Sequence, residues 1–268
     1  MEKLSKYLVK YAKNHKILLA AIVILVILIG GYAAGYRFGP GVSINRLGSL
    51  SLTNIPNGAS VYSDQVLMRT TTATTTALHI DLVRGSHTII VSAPGDYPWS
   101  SVIIVQSGKQ TTVDPILLSE TPHAVPLTGT DRTDAIARIS SATMPSLSSP
   151  LLLSGGCTLV YVANNQIVAD TASTTPGCTP APFMCTNGSC APTIVFAPIS
   201  PLAAVLKYPG REDALLVQLG QVLYAIALDP RAPQFFAPVL TGTNPRAGAL
   251  PDGTVVVQNN TAVYRLQF

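Results

Sequence analysis

The chain reads as an all-β extracytoplasmic region carried on a single N-terminal transmembrane helix, and three features predict this. One uncharged apolar run, residues 17–36, follows a tail studded with lysines. After it come short segments that alternate apolar and polar residues between Gly, Pro and Asn clusters, the signature of half-buried strands. Finally, apolar residues make up 47% of the 268 while charged residues make up only 11%, less than half the share of an ordinary soluble domain, so a core can form and a disordered tail is excluded.

Residues 1–16 form a basic tail in which Lys3, Lys6, Lys10, Lys13 and Lys16 precede the apolar run. As a helix rising about 1.5 Å per residue, residues 17–36 reach roughly 30 Å, one hydrocarbon core. The far flank offers only Arg37, so the positive-inside bias holds the tail in the cytoplasm and exports the rest. Leu4, Tyr7, Leu8 and Tyr11 recur at i, i+3, i+4, i+7, a pattern for an amphipathic helix on anionic lipid; an unordered charged flank is the plainer alternative. A cleaved secretory signal competes with the anchor, because residues 17–29 have h-region length and Gly31 and Ala33 are small residues at cleavage spacing. No cysteine precedes Cys157, so no lipid-attachment site lies near. The net charge of +4 is local to the tail: without the five lysines and Glu2, twelve basic and twelve acidic residues remain. A nucleic-acid-binding face on the body is therefore not expected.

Strand patterns begin at residue 48, where Leu50 and Leu52 alternate with Ser49, Ser51 and Thr53. Leu78, Ile80 and Leu82 repeat the alternation, and Gly85 predicts a hairpin into a partner strand over 87–92. Strands over 101–106 and near 111–118 complete a small antiparallel sandwich over residues 47–118. Three landmarks then appear in order: Pro56-Asn57-Gly58-Ala59 followed by Val61-Tyr62, Gly85-Ser86-His87 before Ile89, and Gly95-Asp96-Tyr97. Through them this region resembles the PEGA domain. The middle departs from that family, with Asp64-Gln65 in place of its Asp-Gly turn and a threonine-rich run over 70–76 in place of its Thr-Pro pair. The resemblance implies a surface-associated β-module of bacteria or archaea with no known catalytic site.

Residues 119–150, rich in Ser, Thr and Pro, read as a linker. Over 151–268 a repeat emerges: Tyr224, Ile226 and Leu228 alternate inward, and Tyr264, Leu266 and Phe268 do so 40 positions later, with Val217 and Val257 upstream. Each unit is two strands about a polar or Gly-containing turn. A third copy places Val162 and Asn164-Asn165 against Val257 and Asn259-Asn260. Hairpins of this period resemble β-propeller blades, yet three units are too few for a closed propeller. Residues 119–150 could donate a further blade, since Leu127-Thr128-Gly129-Thr130 echoes Leu240-Thr241-Gly242-Thr243. Paired chains or an open sheet are alternatives, and hairpins recur in any all-β protein.

An insertion over 171–193 carries Cys178, Cys185 and Cys190, with Cys157 just before it. An even count in an exported chain favours two disulfides. Of the three connectivities, Cys157 to Cys178 with Cys185 to Cys190 gives the shorter closures. A four-thiolate zinc site competes but lacks the paired C-x2-C knuckles.

Chemistry-bearing residues are sparse. His79 and Asp81 share one face of a strand, half of a general-base pair, but they alternate with Leu78, Ile80 and Leu82 and so read as a solvated face. Asp131 and Asp134 fall in the linker and Glu212-Asp213 in a turn after Pro209-Gly210, where solvation is the ordinary reading. Asn187-Gly188-Ser189 and Asn259-Asn260-Thr261 are formal glycosylation sequons. No nucleophile elbow, zinc-helix pair or phosphate loop occurs. The sequence thus predicts a non-catalytic, cofactor-free and metal-free envelope protein. Its partners would be the bilayer, through residues 17–36, and an envelope protein or polysaccharide. An envelope hydrolase using His79 and Asp81, and a transmembrane sensor or accessory subunit, are the alternatives.

Overall fold

A computed structural model of the chain describes residues 18, 20–32, 36–38, 44–73, 75–172, 177–186 and 188–268. About half of the chain is strand. Residues 20–32 are helical (α1) and carry apolar side chains on every face; Ile22, Val26 and Ile29 are 52%, 63% and 60% exposed. Thirteen residues at about 1.5 Å each make α1 roughly 20 Å long. Among the described residues no helix is long and apolar enough to cross a membrane. Of the expected span 17–36, residues 17, 19 and 33–35 lie outside the described residues, as do Lys3, Lys6, Lys10, Lys13 and Lys16, and Tyr36 begins a strand, Tyr36–Phe38, rather than ending the helix.

The chain divides into two compact units, and the division crosses the expected module boundaries. One unit is Met1–Ile55, Thr75–His87 and Ile103–Asp114; the other is Pro56–Thr74, Thr88–Val102 and Pro115–Phe268.

The first unit is organised by one long strand, Ile44–Ile55. It pairs antiparallel with Tyr36–Phe38 and with Thr75–Val83, setting Leu50 opposite Ile80. It also pairs parallel with Gln110–Val113, a departure from the all-antiparallel expectation. Alternation works as anticipated: Leu50 and Leu52 are fully buried, and Leu78, Ile80 and Leu82 nearly so. Ser51, between Leu50 and Leu52 in the strand, is buried as well. Gly48 is required because a Cβ there would lie 2.3 Å from the Gln106 carbonyl oxygen and 2.6 Å from Val105 Cγ1.

The hairpin expected at Gly85 does not form. Thr75–Val83 stays with Ile44–Ile55, whereas Gly85–Ser92 enters a different sheet, ordered Val66–Thr70, Ser60–Ser63, Gly85–Ser92, Trp99–Val105. Gly85 has φ 154°, so it serves a change of sheet rather than a two-residue turn. The Asp64-Gln65 turn between Ser60–Ser63 and Val66–Thr70 has φ of 51° and 69°, both central residues left-handed as a type I′ hairpin needs. Asp64 tolerates this because it is anchored: its N–H donates to the Thr88 carbonyl at 2.9 Å and its carboxylate accepts the Thr88 N–H at 2.9 Å. Thr71, from the threonine-rich run, is buried and donates its hydroxyl to the Pro56 carbonyl at 2.6 Å, bracing the Pro56-Asn57-Gly58-Ala59 turn.

From residue 118 onward the described residues contain three four-stranded antiparallel sheets. Sheet 1 is Leu151–Leu153, Thr158–Ala163, Gln166–Thr171 and Thr193–Phe196; sheet 2 is Leu202–Lys207, Ala214–Leu219, Val222–Ala227 and Phe236–Thr241. Sheet 3 takes Arg246–Ala249, Val255–Asn259 and Ala262–Gln267 and borrows its fourth strand, His123–Pro126, from upstream. The central hairpin of each sheet has a two-residue turn: Asn164-Asn165, Gly220-Gln221 and Asn260-Thr261. The third copy is therefore displaced by one residue from the expected alignment, with Tyr161 rather than Val162 equivalent to Val217 and Val257.

Residues 119–150 are not a linker. They hold His123–Pro126 and then a helix, α2, over Gly129–Ser141. The echo of Leu-Thr-Gly-Thr is positional: Leu240 lies opposite Leu223 in sheet 2, and the Leu127 N–H donates to the Val263 carbonyl at 2.8 Å in sheet 3. The segment thus contributes one strand and a helix rather than a further blade. Asp131 in its first turn and Arg138 in its last complement the helix dipole. Ala135 and Ile139 bury against Val256 and Val263, and Gly248 lets the helix lie close, since a Cβ there would stand 3.0 Å from Ile139 Cα. Sheets 1 and 2 share a core that includes Leu153, Val160, Ile167, Leu215, Val217 and Ile226.

Two substitutions test these assignments by denaturant unfolding. Gln65→Gly relieves a left-handed non-glycine residue and is expected to raise stability by about 1 kcal/mol. Gly48→Ala must move the Gln106 backbone and is expected to lower it by about 1–3 kcal/mol.

Candidate functional site

His79 and Asp81 lie on the exposed face of Thr75–Val83, opposite Ser51 and Ser49, as the alternation implies. His87 Nε2 lies 2.7 Å from the Val83 carbonyl oxygen, and His123 is exposed on the borrowed strand. Trp99 is buried at the start of its strand. Among the described residues no three His, Cys, Asp or Glu side chains come together in a way that could hold a metal ion.

The four cysteines form two disulfides, Cys157–Cys178 and Cys185–Cys190. Cys157 follows sheet 1's first strand, so its bond ties the insertion back to that sheet. The second bond closes the small hairpin of Cys185–Thr186 with Ser189–Cys190. With all four sulfurs oxidised, no thiolate is available for zinc. Of the two sequons, Asn187 lies outside the described residues. Asn259 is half-buried, its side chain lying against Gly242 and its Oδ1 shielded from solvent.

Glu212 does structural work that its position in a turn did not announce. Its carboxylate accepts the Ser154 N–H and an ion pair from Lys207, joining the turns of sheets 1 and 2. Ser154, Gly155 and Gly156 have φ of 54°, 64° and 91°, a left-handed run that presents successive N–H groups to one anion. Burial alone would raise the Glu212 carboxyl, but the bonds from Lys207 and the Ser154 and Gly155 N–H groups outweigh it and hold the group below the usual glutamate range. Asp213 instead takes a two-point contact from Arg211.

Three rings stack across sheets 1 and 2, Phe196 and Phe236 from edge strands and Tyr224 from the strand paired with that of Phe236. Tyr224 and Phe236 have centroids 4.4 Å apart, and Phe236 and Phe196 5.5 Å apart. Phe196 and Tyr224 rest on the shared core, so the stack is a packed seam with Phe236 as its exposed member.

A crevice of about 780 Å³ lies between α2 and the turn at 250–253. One flank of α2 supplies Asp131, Asp134, Arg138 and Ser141; the turn supplies Leu250, Pro251 and Asp252; Arg265 on the third strand of sheet 3 completes it. Asp252 accepts the Thr254 N–H at 2.9 Å. The backbone and hydroxyl of Thr254, with a smaller effect of the Arg265 charge, hold its carboxyl below the usual aspartate range. Sequence reasoning placed Asp131 and Asp134 in a linker and passed over Arg138, Asp252 and Arg265. The missed signal was the pattern Thr128-x-x-Asp131 before Ala135, Ile136 and Ile139, a helix start followed by helical periodicity.

Compared with protein-family models and with curated proteins, the chain matches none.

Because folding lowers the Glu212 pKa, its contribution is present above the unfolded glutamate value of about 4.3 and disappears as pH falls through the folded value. Glu212→Gln is therefore expected to cost about 1 kcal/mol at neutral pH and to match the parent protein in acid below the folded pKa. Urea titrations across that range check the convergence.

Proposed function

We propose that the chain is a single-pass cell-envelope protein that anchors through residues 17–36 and displays β-rich modules outside the cytoplasm for structural or binding contacts, without catalysis. The observation that carries this reading is the pairing of all four cysteines, a state that persists in oxidising compartments and is rare in the cytosol. The all-round apolar surface of α1 supports the anchor, because such a helix is unstable in water and stable in lipid. Lys3, Lys6, Lys10, Lys13 and Lys16 orient it with the tail inside.

Residues 47–118 act as a PEGA-like module, and the three later sheets act as a propeller-like array closed by a strand from its own N-terminal side. Such scaffolds present loops on rigid sheets, which suits an envelope protein or polysaccharide partner. The balance of twelve basic and twelve acidic residues beyond the tail leaves no single-sign field for nucleic acid.

Protease applied to intact cells expressing the full chain, freed of any outer barrier, tests the placement. Digestion of the β-rich body, with a membrane-retained fragment containing residues 1–36, is the expected result. A body that resists until the membrane is lysed, with thiols open to alkylation, overturns it. Release of the intact body into the medium would favour signal cleavage over anchoring.

A further inference from the structure

The crevice beside α2 holds charges of both signs that form no close ion pair with one another. Among the described residues, Asp131, Asp134, Arg138, Asp252 and Arg265 surround it, and none forms an ion pair within 4.0 Å. Arg265 is the most telling of them. It is half-buried in the middle of a strand, opposite Val125 and Val256, and its Nε is shielded from solvent with no hydrogen-bond partner. Leaving a shielded guanidinium nitrogen without a partner is costly, and an anion seated on the rest of the same guanidinium offsets part of that cost.

Charge on the rest of the cavity decides what that anion is attached to. Asp131 and Asp134 lie one turn apart on the α2 flank, and Arg138 follows Asp134 by four residues on the same flank. A simple anion would meet the two arginines but also three carboxylates, and a simple cation would meet the reverse. A molecule with both a carboxylate and an ammonium satisfies both sets through charge-assisted bonds. Leu250, Pro251 and Ala137 line the space between with aliphatic surface, and about 780 Å³ accommodates a few residues of chain.

We propose that the crevice between α2 and the 250–253 turn binds a short zwitterionic peptide, its carboxylate on Arg265 and Arg138 and its ammonium on Asp131 and Asp134. Asp252 remains charged beside Arg265 and excludes a second anion. The proposal does not depend on membrane placement, so either reading can fail without the other.

Calorimetric titration of the purified full chain in neutral detergent tests it, with triglycine, N-acetyl-triglycine, triglycine amide and inorganic phosphate as probes. Triglycine is expected to bind saturably and about tenfold or more tighter than either blocked peptide, the factor appropriate to one lost charged contact. Arg265→Gln should weaken both triglycine and N-acetyl-triglycine, whereas Asp131→Asn with Asp134→Asn should bring triglycine down to the level of N-acetyl-triglycine. The Asp substitutions lie on an exposed helix flank, so they remain informative if Arg265→Gln unfolds the protein. Equal affinity for triglycine and a blocked peptide, phosphate binding as tight as triglycine, or no saturable triglycine binding overturns the site.

Discussion

The pairing of His123–Pro126 with Ala262–Gln267 is the constraint on which the C-terminal architecture depends. It brings together residues about 140 positions apart in register, His123 opposite Gln267 and Val125 opposite Arg265. Everything between them, including α2, sheets 1 and 2 and the disulfide-bearing insertion, is enclosed by that one contact. Without it, Ala262–Gln267 would be an edge strand with unpaired backbone groups, the arrangement that natural sheets avoid. Chain-closure entropy opposes such a long-range pairing, and its return is the burial of Leu127 with Ala135, Ile139, Val256 and Val263. Strand and helix therefore act together: the strand completes the sheet's edge and α2, following directly, covers one of its faces.

The same local economy explains the charged cavity. Only one stripe of α2 is apolar, and the adjacent stripe, with Asp131, Asp134 and Arg138, must face outward beside the 250–253 turn. Gly248 sets the close approach of helix to sheet, leaving the crevice beside the contact rather than beneath it. The Glu212 contact with Ser154 and Lys207 plays a comparable part between sheets 1 and 2, with one carboxylate satisfying backbone donors that the left-handed run at 154–156 leaves without strand partners.

Much of the fold was legible because alternation is a local signal. Leu78, Ile80 and Leu82 announced a buried face, and Asn164-Asn165, Gly220-Gln221 and Asn260-Thr261 announced the hairpins. The repeated Leu-Thr-Gly-Thr, which suggested a further blade, instead marks the ends of two equivalent strands, Phe236–Thr241 and His123–Pro126. What was not legible depends on distant partners. Nothing local to Gln110–Val113 says that it will lie parallel to Ile44–Ile55, and nothing local to Gly85 says that the chain will change sheets instead of folding back. The helix α2 was hidden by the Ser, Thr and Pro around it, although its capping pattern was present, and with it the cavity charges were scattered over residues that share no neighbourhood in sequence. Arg265, mid-strand, gave no sign of facing a crevice whose far wall, α2, lies more than 120 positions earlier.

Hydrogen exchange at the Leu127 amide tests the closing strand most directly, because that N–H donates to the Val263 carbonyl and a linker amide would have no such partner. In the intact chain it should exchange only with the opening of sheet 3, at the rate of the protected amides of Val255–Asn259. Exchange as fast as an exposed loop, while those amides stay protected, would mean that sheet 3 closes without residues 123–127 and would contradict the account.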